Sequence, residues 1–128
     1  MQTVQTSNAP QPLGHYSQAM VHDGLVFVSG QLPIDPASGT PVGDTIEEQM
    51  DRTLANVAAI LEAAGSGMDR VLKVTVYISD ISLASRANTV YARLFGTHRP
   101  ARAVVPTLAL PQDCLIEIEA VATLDADS

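Results

Sequence analysis

The chain has a single cysteine, Cys114, in 128 residues. That excludes an intrachain disulfide framework and a cysteine-rich metal centre, and it fits a reducing compartment. The neighbouring Asp113 and Glu117 raise the thiol pKa, so Cys114 reads as inert. Tryptophan is absent and aromatics make up only 4%, while apolar residues reach 46%, so the core must be filled by Val, Leu, Ile and Ala. Positive charge is scarce: seven Lys and Arg stand against fourteen Asp and Glu, a net charge of −7. This opposes association with phosphate backbones unless the cations cluster. Arg93, Arg99 and Arg102 come nearest to a patch, but Leu94, Phe95 and Pro100 interrupt them, so nucleic acid is not expected as a partner. No stretch approaches the length of a membrane span, and no basic start precedes an apolar run. A cytoplasmic protein with no membrane partner is therefore expected. The histidines (His15, His22, His98) lack metal-site spacing, and no Ser-His-Asp or Cys-His arrangement points to covalent catalysis.

The length suits one domain, residues 1–128, without internal repeats. A polar lead-in through Pro12 is followed by two extended runs, 17–22 and 25–29, flanking Asp23-Gly24, which is a hairpin signal. Residues 30–44 carry Gly30, Pro33, Pro36, Gly39, Pro41 and Gly43 and read as a substantial loop. Thr45 and Glu48 have capping-box spacing, and Ile46, Met50, Leu54, Val57, Leu61 and Ala64 recur at helical steps until Gly65. Over 70–78 the period becomes two, with Leu72, Val74, Val76 and Ile78 on one face and Val71, Lys73, Thr75 and Tyr77 on the other. Asp80 or Ser82 caps a second helix to about Phe95, burying Leu83, Ala87, Val90 or Tyr91, and Leu94, with Gly96 as its stop. A strand is expected near 102–105. The last strand places Ile116, Ile118, Ala120, Ala122 and Leu124 opposite Glu117, Glu119, Val121 and Thr123. Helices interleaved with strands indicate an α+β fold: a mixed sheet with two helices on one face. The other, partly apolar face calls for self-association as a dimer or trimer.

The densest chemistry lies near the C-terminal end. Pro100-Ala101-Arg102-Ala103-Val104 and Ile116-Glu117-Ile118-Glu119-Ala120 place a fixed cation and a strand-borne carboxylate on two extended segments. A guanidinium grips a carboxylate with a planar fork of donors at any physiological pH, so the pair suits a small anionic substrate needing acid/base help. Taken alone, an Arg before a β-rich run is also what a surface ion pair looks like.

These segments, with Gly14-His15-Tyr16-Ser17-Gln18-Ala19, Val28-Ser29-Gly30-Gln31-Leu32-Pro33, Asn56-Val57, Leu61-Glu62-Ala63-Ala64-Gly65, Val74-Thr75-Val76-Tyr77 and Asn88 with Tyr91 and Phe95, resemble the RidA/YjgF reactive intermediate deaminases, the endoribonuclease L-PSP family. The match runs over nearly the whole chain. The resemblance implies a chorismate-mutase-like α+β fold, a homotrimer with ligand sites between subunits, and hydrolysis of 2-imino or enamine acids to 2-keto acids and ammonia, with no metal or organic cofactor.

By the same resemblance, Arg102 clamps the substrate carboxylate, and Glu117 orients the attacking water and shuttles its proton. Tyr16 and Ser29 contact the ligand through their hydroxyls, Gly30 lets the backbone approach closely, and Asn88 lends polar support. Main chain beside the Arg, at Val104, helps hold the water. Most relatives carry Cys there, so thiol-based behaviour is expected to be absent. His15 replaces a usual proline, and Pro106 and Leu108 also depart from the family pattern, which leaves substrate range open. Two alternatives share these residues: a deaminase dedicated to an aminomuconate- or aminoacrylate-like intermediate, and a ligand-sensing or holdase-like trimer without turnover. Glu117 argues against the second, because binding an anion gains nothing from a nearby carboxylate. An RNA-cleaving role is disfavoured by the net charge.

Overall fold

The computed structural model describes residues 1–125. In chain order the elements are β1 (Gln2–Val4), β2 (Ala19–His22), β3 (Leu25–Gln31), α1 (Ile46–Ala63), β4 (Val71–Ile78), α2 (Ala84–Phe95), β5 (Ala101–Pro106) and β6 (Ile116–Thr123). One sheet runs β1-β2-β3-β6-β4-β5. β4 and β5 are parallel, as the α2 crossover requires, and every other pairing is antiparallel.

Local chemistry sets the main boundaries. Asp23 and Gly24 both adopt positive φ, 50° and 76°, the geometry of a two-residue turn whose twist matches a hairpin. Thr45 caps α1: its hydroxyl accepts from the Glu48 amide, while the Glu48 carboxylate accepts from that hydroxyl and not from the Thr45 main-chain amide a capping box uses. At the other end of α1, Gly65 at φ 87° lets its own amide and that of Ser66 turn back to Glu62 and Leu61, satisfying carbonyls the helix leaves open.

Both helices lie on one face of the sheet. Ile46, Met50, Leu54, Val57, Ile60 and Leu61 of α1 pack against the inward residues of β3, β4 and β6. α2 adds Ala87, Val90, Tyr91 and Phe95. Two ion pairs, Arg86 with Glu47 and Arg93 with Asp51, join the helices across their solvent side.

Three expectations are corrected. A register shift between Val71 and Lys73 turns Val71 into the core and leaves Leu72 exposed, reversing the strict alternation there. On α2, Phe95 is buried and Leu94 exposed. Asp80 caps a single 3-10 turn, Ile81–Leu83, that precedes the helix, so the second helix itself begins at Ala84. The lead-in is also more ordered than its polarity suggests, since β1 extends the sheet beside β2.

Candidate functional site

Arg102 lies on β5, the edge strand, directly paired with Val74 of β4. Val74 faces the helices, so Arg102 does too. Its Nη1 donates to Asn88 Oδ1 at 2.7 Å, and its guanidinium carbon lies 4.7 Å from the centre of the Tyr91 ring. Both partners belong to α2. A guanidinium over an aromatic face is attracted by the ring's negative potential and held in plane by the amide. The fork is thus oriented, with donors to spare. No carboxylate lies within ion-pairing distance of it among the described residues. Val104, two residues on, pairs with Val76. Asn88, Arg102 and Val104 border one cleft of about 320 Å³ whose remaining wall is mostly apolar, including Val76, Ile78 and Ala87, with Ser85 and Tyr91 as its polar members.

Glu117 occupies the other face of the sheet. It alternates with the fully buried Ile116 and Ile118 and pairs with Tyr77. A second cleft of about 330 Å³ gathers Glu117, Gly30, Ser29, Tyr16, Gln18 and Leu13 among its lining. Burial, reinforced by the like charge of Glu119, raises the Glu117 carboxyl above the ordinary carboxylate range, which favours a group able to give and take a proton. Glu119 is not simply solvated: Tyr77 donates its hydroxyl to it at 2.7 Å.

Ser29 donates its hydroxyl to the Ser17 carbonyl at 2.7 Å, so only its lone pairs remain for a ligand. The Tyr16 oxygen accepts from the Leu13 amide, leaving its own proton free to donate. Gly30 sits where a Cβ would come within 2.7 Å of Glu117 Oε2, so glycine is needed here for space. His15 is exposed. His98 is fixed by donating from Nε2 to the Val71 carbonyl at 2.7 Å. Cys114 is buried, and burial, with Glu117 and Asp113 adding to it, pushes its thiol pKa up.

The structure therefore groups the expected residues in two sets: Arg102, Asn88 and Val104 on one side, and Tyr16, Ser29, Gly30 and Glu117 on the other. Two strands and three register positions separate Arg102 from Glu117, about 14 Å between Cα atoms at standard strand spacings. Their side chains point to opposite faces, so within one copy they do not share a ligand.

Two supporting residues belong to the family-resembling segments but have no role that the resemblance assigns. Gln18 is buried and holds the lead-in with four hydrogen bonds, accepting from Thr6 and donating to the Thr6, Ala9 and Pro10 carbonyls. Asn56 of α1 donates to the Leu32 and Ile34 carbonyls, fixing the chain just beyond Gly30. A polar residue lying between Leu54 and Val57 on a buried stripe was the available clue for Asn56. Among the described residues, no three His, Cys, Asp or Glu side chains gather as metal ligands, and no helix is long and apolar enough to cross a membrane.

Residues 6–124 match the family model described as Endoribonuclease L-PSP. A RutC family protein of Pyrococcus horikoshii is 49% identical over 117 residues, covering 91% of this chain and 93% of that protein. A Bos taurus protein named 2-iminobutanoate/2-iminopropanoate deaminase is 42% identical over 119 residues, covering 93% and 87%. The crystal structure of Escherichia coli TdcF with bound serine superposes with a TM-score of 0.91 at 36% identity, covering 96% of this chain and 98% of that one.

Proposed function

From the premise that the chain belongs to the Endoribonuclease L-PSP (RidA/YjgF) family, we propose that it is a cofactor-independent deaminase hydrolysing 2-imino acids of the 2-iminobutanoate and 2-iminopropanoate type. Water adds to the imine carbon, the C–N bond breaks, and the products are a 2-keto acid and ammonia. Because the two residue sets face apart in one chain, we place the working site between copies, with Arg102, Asn88 and Val104 from one and Tyr16, Ser29, Gly30 and Glu117 from its neighbour. A homotrimer closed through the open sheet face satisfies this arrangement.

The observation that carries the reading is the pre-aimed Arg102 fork, held by Asn88 and Tyr91 with no acidic partner among the described residues. It binds the substrate carboxylate and so fixes the imine carbon relative to the attacking water, an entropic advantage that suits an already electrophilic substrate. Glu117, inclined to protonation by its surroundings, takes a proton from the water and delivers one to the departing nitrogen. Tyr16 supplies a free O–H, Ser29 an acceptor, and the main chain at Val104 a contact for water. A bound amino acid in the similar TdcF structure is consistent with a small carboxylate ligand.

The test is release of 2-keto acid and ammonia from freshly generated 2-iminobutanoate. Acceleration by the wild type, lost in Arg102→Ala, supports the proposal. Equal rates with and without protein would sink it and favour a trimer that binds ligand without turnover.

A further inference from the structure

Arg102 is also a wall of a second, larger hollow beside the apolar cleft. This cavity, about 460 Å³, is bordered by Asn88, Tyr91 and Arg102 and continues past Phe95 to His98 and Arg99. Arg99 and Arg102 are separated only by Pro100-Ala101, so their Cα atoms are at most about 10 Å apart even in a fully extended chain. Proline at 100 limits the backbone freedom of that connection.

In so acidic a chain the fate of each cation is informative. Arg86 and Arg93 pair with Glu47 and Asp51, Arg52 donates to Asn56, Arg70 donates to the Gly65 carbonyl, and Lys73 borders a separate hollow with Phe27, Thr75 and Glu119. Among the described residues, neither Arg99 nor Arg102 has a carboxylate at ion-pairing distance. Two guanidinium groups without acidic partners therefore border one cavity. His98 borders the same cavity, its ring fixed by the Val71 carbonyl and near Phe95. One fork suffices for the α-carboxylate of a 2-imino acid. The second is in excess, and forks of this kind match oxyanions such as carboxylate and phosphate; a 2-imino acid substrate supplies the former.

Resting on the deaminase reading and deepening it, we propose that the favoured substrates are 2-imino dicarboxylic acids, with Arg102 holding the α-carboxylate and Arg99 the distal one. The cleft across Arg102 has no cation besides Arg102 in its lining, so the cationic cavity is where the charged substrate side chain extends. A diacid joins two carboxylates by a short chain, as one cavity here joins two guanidinium groups.

The experiment compares 2-iminoglutarate with 2-iminobutanoate, each generated in situ by an amino-acid oxidase, for wild type, Arg99→Ala and Arg99→Lys. The expected result is a wild-type kcat/KM favouring the dicarboxylate, and a preference ratio that falls at least tenfold in Arg99→Ala, mainly through KM, and recovers in part with lysine. A ratio unmoved by Arg99→Ala overturns the proposal, as does a wild type that hydrolyses only the monocarboxylate. Calorimetry with 2-oxoglutarate, 2-oxobutanoate and inorganic phosphate separates this inference from the deaminase reading. Arg99-dependent binding of 2-oxoglutarate without turnover of either imine would keep the subsite and dismiss the deaminase. Phosphate binding as tightly as 2-oxoglutarate would mark an unselective anion patch and dismiss the subsite.

Discussion

The carboxyl group of Glu117 lies against Gly30 so closely that a methyl group built on that glycine would meet Glu117 Oε2 at 2.7 Å and Cδ at 3.1 Å. The carboxyl is thus positioned by the absence of a side chain on the neighbouring strand. Gly30→Ala forces it to move, and because the atoms met belong to a side chain, the fold can absorb the change. Turnover of 2-iminobutanoate is expected to fall by up to about 100-fold, the scale of loss for a catalytic group misplaced by about 1 Å, while the thermal midpoint shifts by only a few degrees. Steady-state kinetics beside a melting curve check this; a collapsed fold with no separable kinetic defect would contradict it.

Glu117→Gln should separate stability from activity. The folded Glu117 carboxyl has a raised pKa, caused first by burial and then by Glu119. The folded chain therefore holds this proton at pH values where the unfolded chain has released it. Stability falls as pH rises from the ordinary carboxylate range through the folded value, and the penalty is complete above it. Glutamine removes the penalty. The variant is expected to melt above wild type at pH 7, with the difference shrinking toward pH 4, while its rate drops about 100-fold or more. A variant less stable than wild type at pH 7 would show that Glu117 is structural.

Removing the Arg102 fork is expected to cost about 100-fold or more in kcat/KM, since each charge-assisted hydrogen bond lost is worth about 1.5–3 kcal/mol. Arg102 lies on an exposed edge strand, so Arg102→Ala should leave the melting temperature and oligomer size unchanged. Arg102→Lys keeps the charge without the fork and should recover only part of the loss. Asn88→Ala, which frees the guanidinium from its 2.7 Å tether, should raise KM several-fold. Size-exclusion chromatography and kinetics on the three variants decide; dissociation of the assembly in Arg102→Ala would assign the residue to packing instead.

How much of this was readable beforehand follows from what is local. The hairpin at Asp23-Gly24 and both ends of α1 are written in adjacent residues, as backbone conformation and capping, and they appear where expected. The bulge at Val71 and the rotated face of α2 are not, because each depends on partners distant in sequence. The same limit governs the site. Arg102 and Glu117 were each legible as chemistry, but which face each would present is fixed by pairing with Val74 and Tyr77. All six residues of β5 are exposed, so that strand carries no buried alternation from which to read its phase. The separation of the two residue sets within one copy became visible only through the register.

Gln18 gives the last test, because it links the lead-in to the cleft. Its side-chain amide accepts from the Thr6 amide at 2.7 Å and donates to the Thr6 and Pro10 carbonyls at 3.0 and 2.9 Å. Pro10 and Gln11 in turn line the cleft that holds Glu117. Gln18→Ala leaves these main-chain groups without their partner in a half-buried setting, at a cost of about 2–4 kcal/mol. The melting temperature should fall by roughly 10 °C for a chain of this size. Hydrogen exchange should quicken at the Thr6 amide while α1 stays protected, since Gln18 makes no hydrogen bond to that helix. Activity should fall through KM more than kcat, because what loosens is a wall of the cleft and Glu117 and Gly30 keep their contact. Uniform acceleration of exchange across the chain would mean that Gln18 supports the whole fold, and the lead-in could then not be treated as a separately held wall.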